Sequence, residues 1–220
     1  PMSIMVATGK AASAGILFRD AAAIETLRRI DTLVVDKTGT LTQGKPAFDA
    51  VIAAQGLSED EVLLLAASLD QGSEHPLAEA IVAEARRRGM RLVSAEAFES
   101  ITGSGVVGRV NGHELALGNT TLMRSRNIAI DALEAAAEER RGAGASVMYL
   151  ARDGRAAGLV SVADPIRETT PAALEQLRAS GLRVIMATGD GPTTAAGVAR
   201  QLGTTEFHGE VRPQDKLDLV

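Results

Sequence analysis

The chain has 220 residues, 45% hydrophobic but only 2% aromatic, so a core for one large domain or two small ones must be built from Ala, Val, Leu and Ile. A net charge of −5 with no basic block argues against a nucleic-acid surface, and the lack of cysteine excludes disulfides and thiolate metal sites within the chain. There is no Lys/Arg-led signal peptide, and no apolar run of about 18 residues that could span a bilayer. The opening at Pro1-Met2-Ser3 and the apolar close at Leu217-Asp218-Leu219-Val220 read as the ends of a piece of a longer protein.

Residues 1–30 read as helix, with Ile16, Leu17, Ile24, Leu27 and Ile30 at roughly helical spacing and Gly15 and Asp20 as candidate breaks. Thr32-Leu33-Val34-Val35 then reads as a strand buried on both faces. It stops at a carboxylate, Asp36, and the chain turns through Gly39. Ligands of open parallel sheets bind beyond the carboxyl ends of strands. A carboxylate there can attack a phosphoryl group and carry it covalently.

After Gly44-Lys45-Pro46 the pattern changes. Ser58 with Glu61 forms a capping box for a helix over about 59–69. Pro76 opens a second helix that Gly89 ends. Asn111-Gly112 and Asp153-Gly154 each join two apolar runs as hairpins. Between them Asp131 with Glu134 caps a helix stopped at Gly142. From Asp164 the βαβ alternation returns: Thr170 caps and Pro171 opens a helix ended by Gly181, a strand covers 183–187, and a helix runs to about Leu202. The expected layout is a lead-in over 1–30, a parallel-sheet domain over 31–44 and 163–220, and an inserted α+β domain over 45–162. Hinges fall near 44–46 and 162–164.

Gly103-Ser104-Gly105-Val106-Val107-Gly108 fits G-x-G-x-x-G but runs into a hairpin instead of opening a helix, which rejects a dinucleotide fold. No Walker A sequence is present. His113 and His208 have no partners at ligand spacing and read as surface residues; Glu59-Asp60-Glu61 and Glu138-Glu139 read as solvated helix faces.

Asp36-Lys37-Thr38-Gly39-Thr40-Leu41-Thr42 resembles the phosphorylation motif of P-type ATPases, a branch of the haloacid-dehalogenase-like superfamily. Further words of that family follow in its order: Ser73-Glu74-His75-Pro76-Leu77, Gly103-Ser104-Gly105, Gly118-Asn119, Asp164-Pro165-x-Arg167 and Thr188-Gly189-Asp190. The opening, through Gly9-Lys10 and Gly15-Ile16-Leu17, is similar to the cytoplasmic end of a membrane helix in copper/silver-type pumps. The resemblance implies a haloacid-dehalogenase-like (Rossmann-like) α/β domain split by a nucleotide-binding domain.

It also implies roles. Asp36 would be the phosphorylated nucleophile, followed by Lys37 of the motif. Related phosphatases carry a second aspartate two residues on, as acid and base; Thr38 stands there, and its hydroxyl cannot take that role near neutral pH. The aspartyl-phosphate should therefore persist, as a pump requires. Thr188 would hydrogen-bond the phosphate in the Thr188-Gly189-Asp190 turn, and Asp190 would support Mg²⁺ or nucleotide. Lys216 would offset phosphate charge; Gln214 stands where the family usually has Glu. His75, in its Ser73-Glu74-His75 word, would orient ATP. Asp70 replaces the family's Glu, so the adenine contact is loosened or a water fills in. Gly103, Gly105 and Val106 would let the backbone approach ATP, and Gly118-Asn119 would touch it, while Asn119 also reads as an N-cap for 120–126. Arg167 would reach the nucleotide phosphates or form a hinge salt bridge. Mg²⁺ would sit at Asp36 and Thr38, with a further Asp ligand expected beyond Val220. Without that ligand the chain should bind ATP but phosphorylate poorly.

The implied function is the ATP-binding and phosphorylation portion of a bacterial P-type ATPase exporting heavy-metal ions, Cu⁺ or Ag⁺, with ATP and Mg²⁺ as cofactors. It would lie at the cytoplasmic face of the plasma membrane, soluble itself but tied to the membrane through helices outside this chain. The transported ion would be its further partner, and nucleic acid would not. Alternatives are a soluble phosphatase with a cap domain, a non-catalytic ATP-binding module, or a pump for K⁺ or Zn²⁺/Cd²⁺.

Overall fold

A computed structural model describes residues 2–211 and 214–215. Lys216 and the expected strand start at 217–220 lie outside the described residues. The chain opens with helices α1 (Met2–Ser13) and α2 (Ala21–Leu27), not one continuous helix. Asp20 starts α2 by accepting from the Ala23 N–H at 2.7 Å. Ile16 and Leu17, expected on an apolar helix face, fall in the break and are exposed.

Strand β1 (Thr32–Asp36) comes next, then the turn 37–41. The middle of the chain runs β2 (Ala47–Ala53), α3 (Glu59–Asp70), α4 (Pro76–Arg87), β3 (Glu96–Ile101), β4 (Gly105–Val110), β5 (His113–Gly118), α5 (Thr120–Ser125), α6 (Asp131–Gly142), β6 (Ser146–Arg152) and β7 (Arg155–Ala163). It ends with α7 (Thr170–Ala179), β8 (Arg183–Ala187), α8 (Pro192–Gln201) and β9 (Glu206–His208). Two sheets result: a three-stranded one in the order β1-β8-β9, and a six-stranded one in the order β2-β7-β6-β5-β4-β3. The first is parallel in both pairings and the second antiparallel throughout. The parallel unit is thus interrupted by the antiparallel one.

Local chemistry explains most boundaries. The Ser58–Glu61 capping box starts α3, as expected. Asn111-Gly112 and Asp153-Gly154 all take positive φ, the backbone that tight hairpin turns need. Two caps differ from expectation. Asp131 is the first residue of α6, behind Ile130 at the N-cap position; its charge still suits the helix start. Thr170 likewise lies inside α7, and its hydroxyl donates to the Leu41 carbonyl at 2.8 Å instead of capping.

The antiparallel sheet buries apolar side chains on both faces. One face packs Leu63, Leu69 and Ile81 of α3 and α4; the other packs Leu122, Met123 and Leu133 around the buried Tyr149. The parallel sheet has a smaller core of Leu41, Leu174, Met186 and Leu202. The two units also meet along α8. Thr194 Oγ1 donates to Ala145 O at 3.0 Å and Gln201 Nε2 to Ala143 O at 2.7 Å. Between them Gly197 lies so close that an added Cβ would stand 2.6 Å from Gly142 O.

Candidate active site

β1 delivers Asp36 to the carboxyl edge of the parallel sheet, in register with Ala187 of β8. Thr188 follows Ala187, so the 37–41 turn and the 188–190 turn emerge side by side. Asp36 and Thr38 are exposed, while Lys37 between them is only 6% exposed. A buried ammonium needs a counter-charge. Asp190 supplies it, with its Oδ2 2.5 Å from Lys37 Nζ. Thr188 Oγ1 donates to the same oxygen at 2.8 Å and accepts from the Asp190 N–H at 3.2 Å. In this arrangement Asp190 anchors Lys37 and Thr188 and ties the two turns together.

A cleft of about 500 Å³ opens beside them. Asp70, Ser73, His75, Gly103, Gly105, Val106, Gly118 and Asn119 line it from the antiparallel unit, and Gly189 and Asp190 from the parallel unit. His75 is the N-cap of α4, accepting the Leu77 N–H on Nδ1 at 3.2 Å. A neutral ring with Nδ1 so used carries its proton on Nε2 and offers it as a donor. Glu74 is exposed and outside the cleft lining. Asn119 caps α5 by accepting from the Leu122 N–H at 3.1 Å, and its Nδ2 holds Gly103 O at 2.8 Å. The glycines at 105 and 118 answer a demand of the sheet itself. A Cβ on Gly105 would stand 2.2 Å from Leu117 O, and one on Gly118 2.2 Å from Ser104 O. Asp70 is 4% exposed, and burial pushes its carboxyl up to about 7.

Arg167 sits elsewhere. It does not line the 500 Å³ cleft, and its contacts are backbone carbonyls, with no hinge salt bridge among the described residues. Its guanidinium donates to the carbonyls of Thr42 (2.8 Å), Gly39 (3.0 Å) and Gln43 (3.4 Å). Asp164 complements it, accepting from the Thr42 hydroxyl at 2.5 Å and from the Gly44 and Lys45 N–H groups at 3.2 Å. Thr42, Asp164 and Thr170 were given no role at the site by sequence reasoning, which read Asp164 only as the start of the Asp164-Pro165-x-Arg167 word and Thr170 only as a helix cap. They bind the turn and the segment after it, and Thr42 closing the Asp36–Thr42 word and Asp164 opening its own were the signals that could have found them. Among the described residues no group of three or more His, Asp or Glu could hold a metal. One exposed carboxylate with neighbouring oxygens fits Mg²⁺, which takes most of its ligands from water and substrate phosphates.

A family model for haloacid dehalogenase-like hydrolases matches residues 30–220. The chain belongs to that family. It is 50% identical over 220 residues to a copper-transporting P-type ATPase of Rhizobium leguminosarum bv. viciae, covering 100% of this chain and 26% of that protein. It is 44% identical to a silver exporting P-type ATPase of Salmonella typhimurium, covering 100% and 27%. A crystal structure of a zinc-transporting PIB-type ATPase in the E2.Pi state matches with a TM-score of 0.77 at 36% identity, covering 99% of this chain and 35% of that one. This member of the haloacid dehalogenase-like family therefore spans between a quarter and two-fifths of the length of these proteins. Among the described residues no helix is long and apolar enough to cross a membrane.

Proposed function

We propose that this chain is the ATP-binding and phosphorylation portion of a P-type ATPase that exports heavy-metal ions, Cu⁺ or Ag⁺. The observation that carries the reading is the exposed carboxylate of Asp36 beside a cleft whose walls come from both units. ATP lies in that cleft, with its base toward Asp70 and His75 and its phosphates toward Gly189. An Asp36 oxygen attacks the γ-phosphorus; the bond to the β-γ bridging oxygen breaks and ADP leaves. The products are an aspartyl-phosphate and free ADP.

Lys37 and Thr188, both tied to Asp190, hold the donor groups of the site in place before the phosphoryl group arrives. Asp36, with Thr38 and the nucleotide phosphates, would hold Mg²⁺, which supplies charge neutralisation at the transferred group. Thr38 offers no acid or base, so water attacks the aspartyl-phosphate slowly. A long-lived phospho-enzyme is what a transport cycle uses and what a phosphatase avoids. The copper and silver relatives at 50% and 44% identity support those ions over zinc. In the intact protein, anchored in a membrane with this portion on the cytoplasmic side, the phosphorylation would drive ion export.

The test is incubation of the full-length protein with γ-labelled ATP and Mg²⁺. Acid-stable, hydroxylamine-sensitive label is expected, abolished by Asp36→Asn and stimulated by Cu⁺ or Ag⁺ over Zn²⁺. Label that survives Asp36→Asn, or rapid turnover of simple phosphate esters, would overturn the reading.

A further inference from the structure

The hydroxyl of Thr42 is completely buried, at 0% exposure, where the chain crosses from the parallel unit to the antiparallel one. Its Oγ1 is 2.5 Å from Asp164 Oδ2 and 3.0 Å from Lys37 O. One hydroxyl has one proton, and the nearer, charged acceptor takes it. Lys37 O is satisfied separately, by the Thr42 N–H at 3.1 Å. The lone pairs of Oγ1 are then free to accept, and the Gly39 N–H points at them from 3.3 Å. The other end of the same residue is held too, because Gly39 O accepts from Arg167 Nη2 at 3.0 Å.

Gly39 takes a φ of +75° at the centre of the 37–41 turn, between Thr38 and Thr40. Both of its peptide groups are therefore held by side chains of the crossover, outside the turn. Asp164 is fixed in its turn by the Gly44 and Lys45 N–H groups. The chain Asp164, Thr42, Gly39 joins the two connecting segments, Thr42 and Asp164 being 122 positions apart, into one strut centred on a buried hydroxyl.

We infer that Thr42 is a positioning residue of the phosphoryl-transfer site: seated on Asp164, it holds the Gly39 peptide and so sets the shape of the turn that carries Asp36 and Thr38. Thr42 touches neither nucleotide nor phosphate. It acts through the backbone, and the same strut makes the turn sensitive to how the two connecting segments lie. The inference rests on Asp36 being the phosphorylated group.

The test compares Thr42→Val, which keeps the shape and loses the hydroxyl, with Thr42→Ser, which keeps the hydroxyl. In the full-length protein, labelling of Asp36 from saturating ATP should slow by about tenfold or more in Thr42→Val while the ATP Kd stays within about twofold, and Thr42→Ser should recover most of the rate. A labelling rate equal to wild type at temperatures where Thr42→Val is fully folded overturns the inference, even if its Tm is lower. If the wild-type protein takes no label, the reading of Asp36 has failed, and the strut is decided by hydrogen exchange. Peptides covering 37–42 should then exchange about tenfold faster in Thr42→Val with the β4–β7 peptides unchanged. Unchanged exchange over 37–42 overturns the strut as well.

Discussion

Lys37 and Asp190 set the electrostatics at the residue scale. The ammonium has little water around it, and the Asp190 carboxylate compensates it. Asp190→Asn should cost about 3–5 kcal/mol of stability, because the buried charge is left without its partner. Lys37→Met together with Asp190→Asn should recover most of that loss, as urea unfolding of the two variants would show. A loss below about 1 kcal/mol in Asp190→Asn would mean that the pair behaves as a surface ion pair. Asp70 poses the opposite problem, a carboxyl raised by burial with no compensating cation among the described residues. Its folded pKa, raised to about 7 by burial, lies above its unfolded value, so the folded state binds the proton more tightly. The stability it contributes is fully present below about pH 4 and is lost as pH rises through about 7. Asp70→Asn, which cannot ionise, should match wild type near pH 4 and exceed it at pH 8, by up to about 4 kcal/mol. Denaturation at several pH values checks this, and a difference that does not change with pH would contradict it.

Elements differ in how plainly the sequence shows them, and the reason is where their constraints lie. The hairpins at Asn111-Gly112 and Asp153-Gly154 are legible because the turn residues themselves supply the positive φ. The capping box of α3 is legible for the same reason, its partners being three residues apart. Strands β2 and β3 are less so, since they are the edges of the antiparallel sheet and carry register shifts that blur their alternation. Thr170 looked like a cap by spacing, but Leu41 O, distant in sequence, claimed its hydroxyl. The seam on α8 is equally hidden, because nothing in the sequence around Gly197 shows that the 142–145 segment lies against it. Gly197→Val would drive its side chain into Gly142 O and Gly144 N, 2.6 and 2.7 Å from the Cβ position, where only backbone stands. The two units should separate along that line. The distance between spin labels on exposed Glu99 and Arg200 should lengthen and broaden relative to the parent, and an unchanged distance would show that the seam tolerates a side chain.

Across the whole molecule, the division of labour follows from the two sheets. The parallel one presents Asp36, the proposed nucleophile, at its carboxyl edge, and the antiparallel one supplies most of the cleft. The order of motifs along the chain made this much readable, because each word sits at the end of a strand or the start of a helix. The crossover network of Thr42, Asp164 and Arg167 was not readable, since it joins groups more than a hundred residues apart. Arg167 illustrates the limit: its motif suggested phosphates or a salt bridge, and its guanidinium instead holds three backbone carbonyls within residues 39–43, beside Asp36. Removing it should weaken phosphoryl transfer more than ATP binding. Calorimetry with ATP on Arg167→Ala, beside its labelling rate, separates the two; an ATP Kd weakened by tenfold or more, about 1.4 kcal/mol, with normal labelling would return Arg167 to the nucleotide.

The central claim is covalent chemistry at one carboxyl group. Borohydride reduces an acyl phosphate to an alcohol, so treatment of the full-length protein after incubation with ATP and Mg²⁺ should convert residue 36 from aspartate to homoserine. Peptide mass mapping reads the change directly. Homoserine at position 36, dependent on ATP, is the predicted result; ATP consumption with Asp36 unmodified, or reduction at another carboxylate, would contradict it.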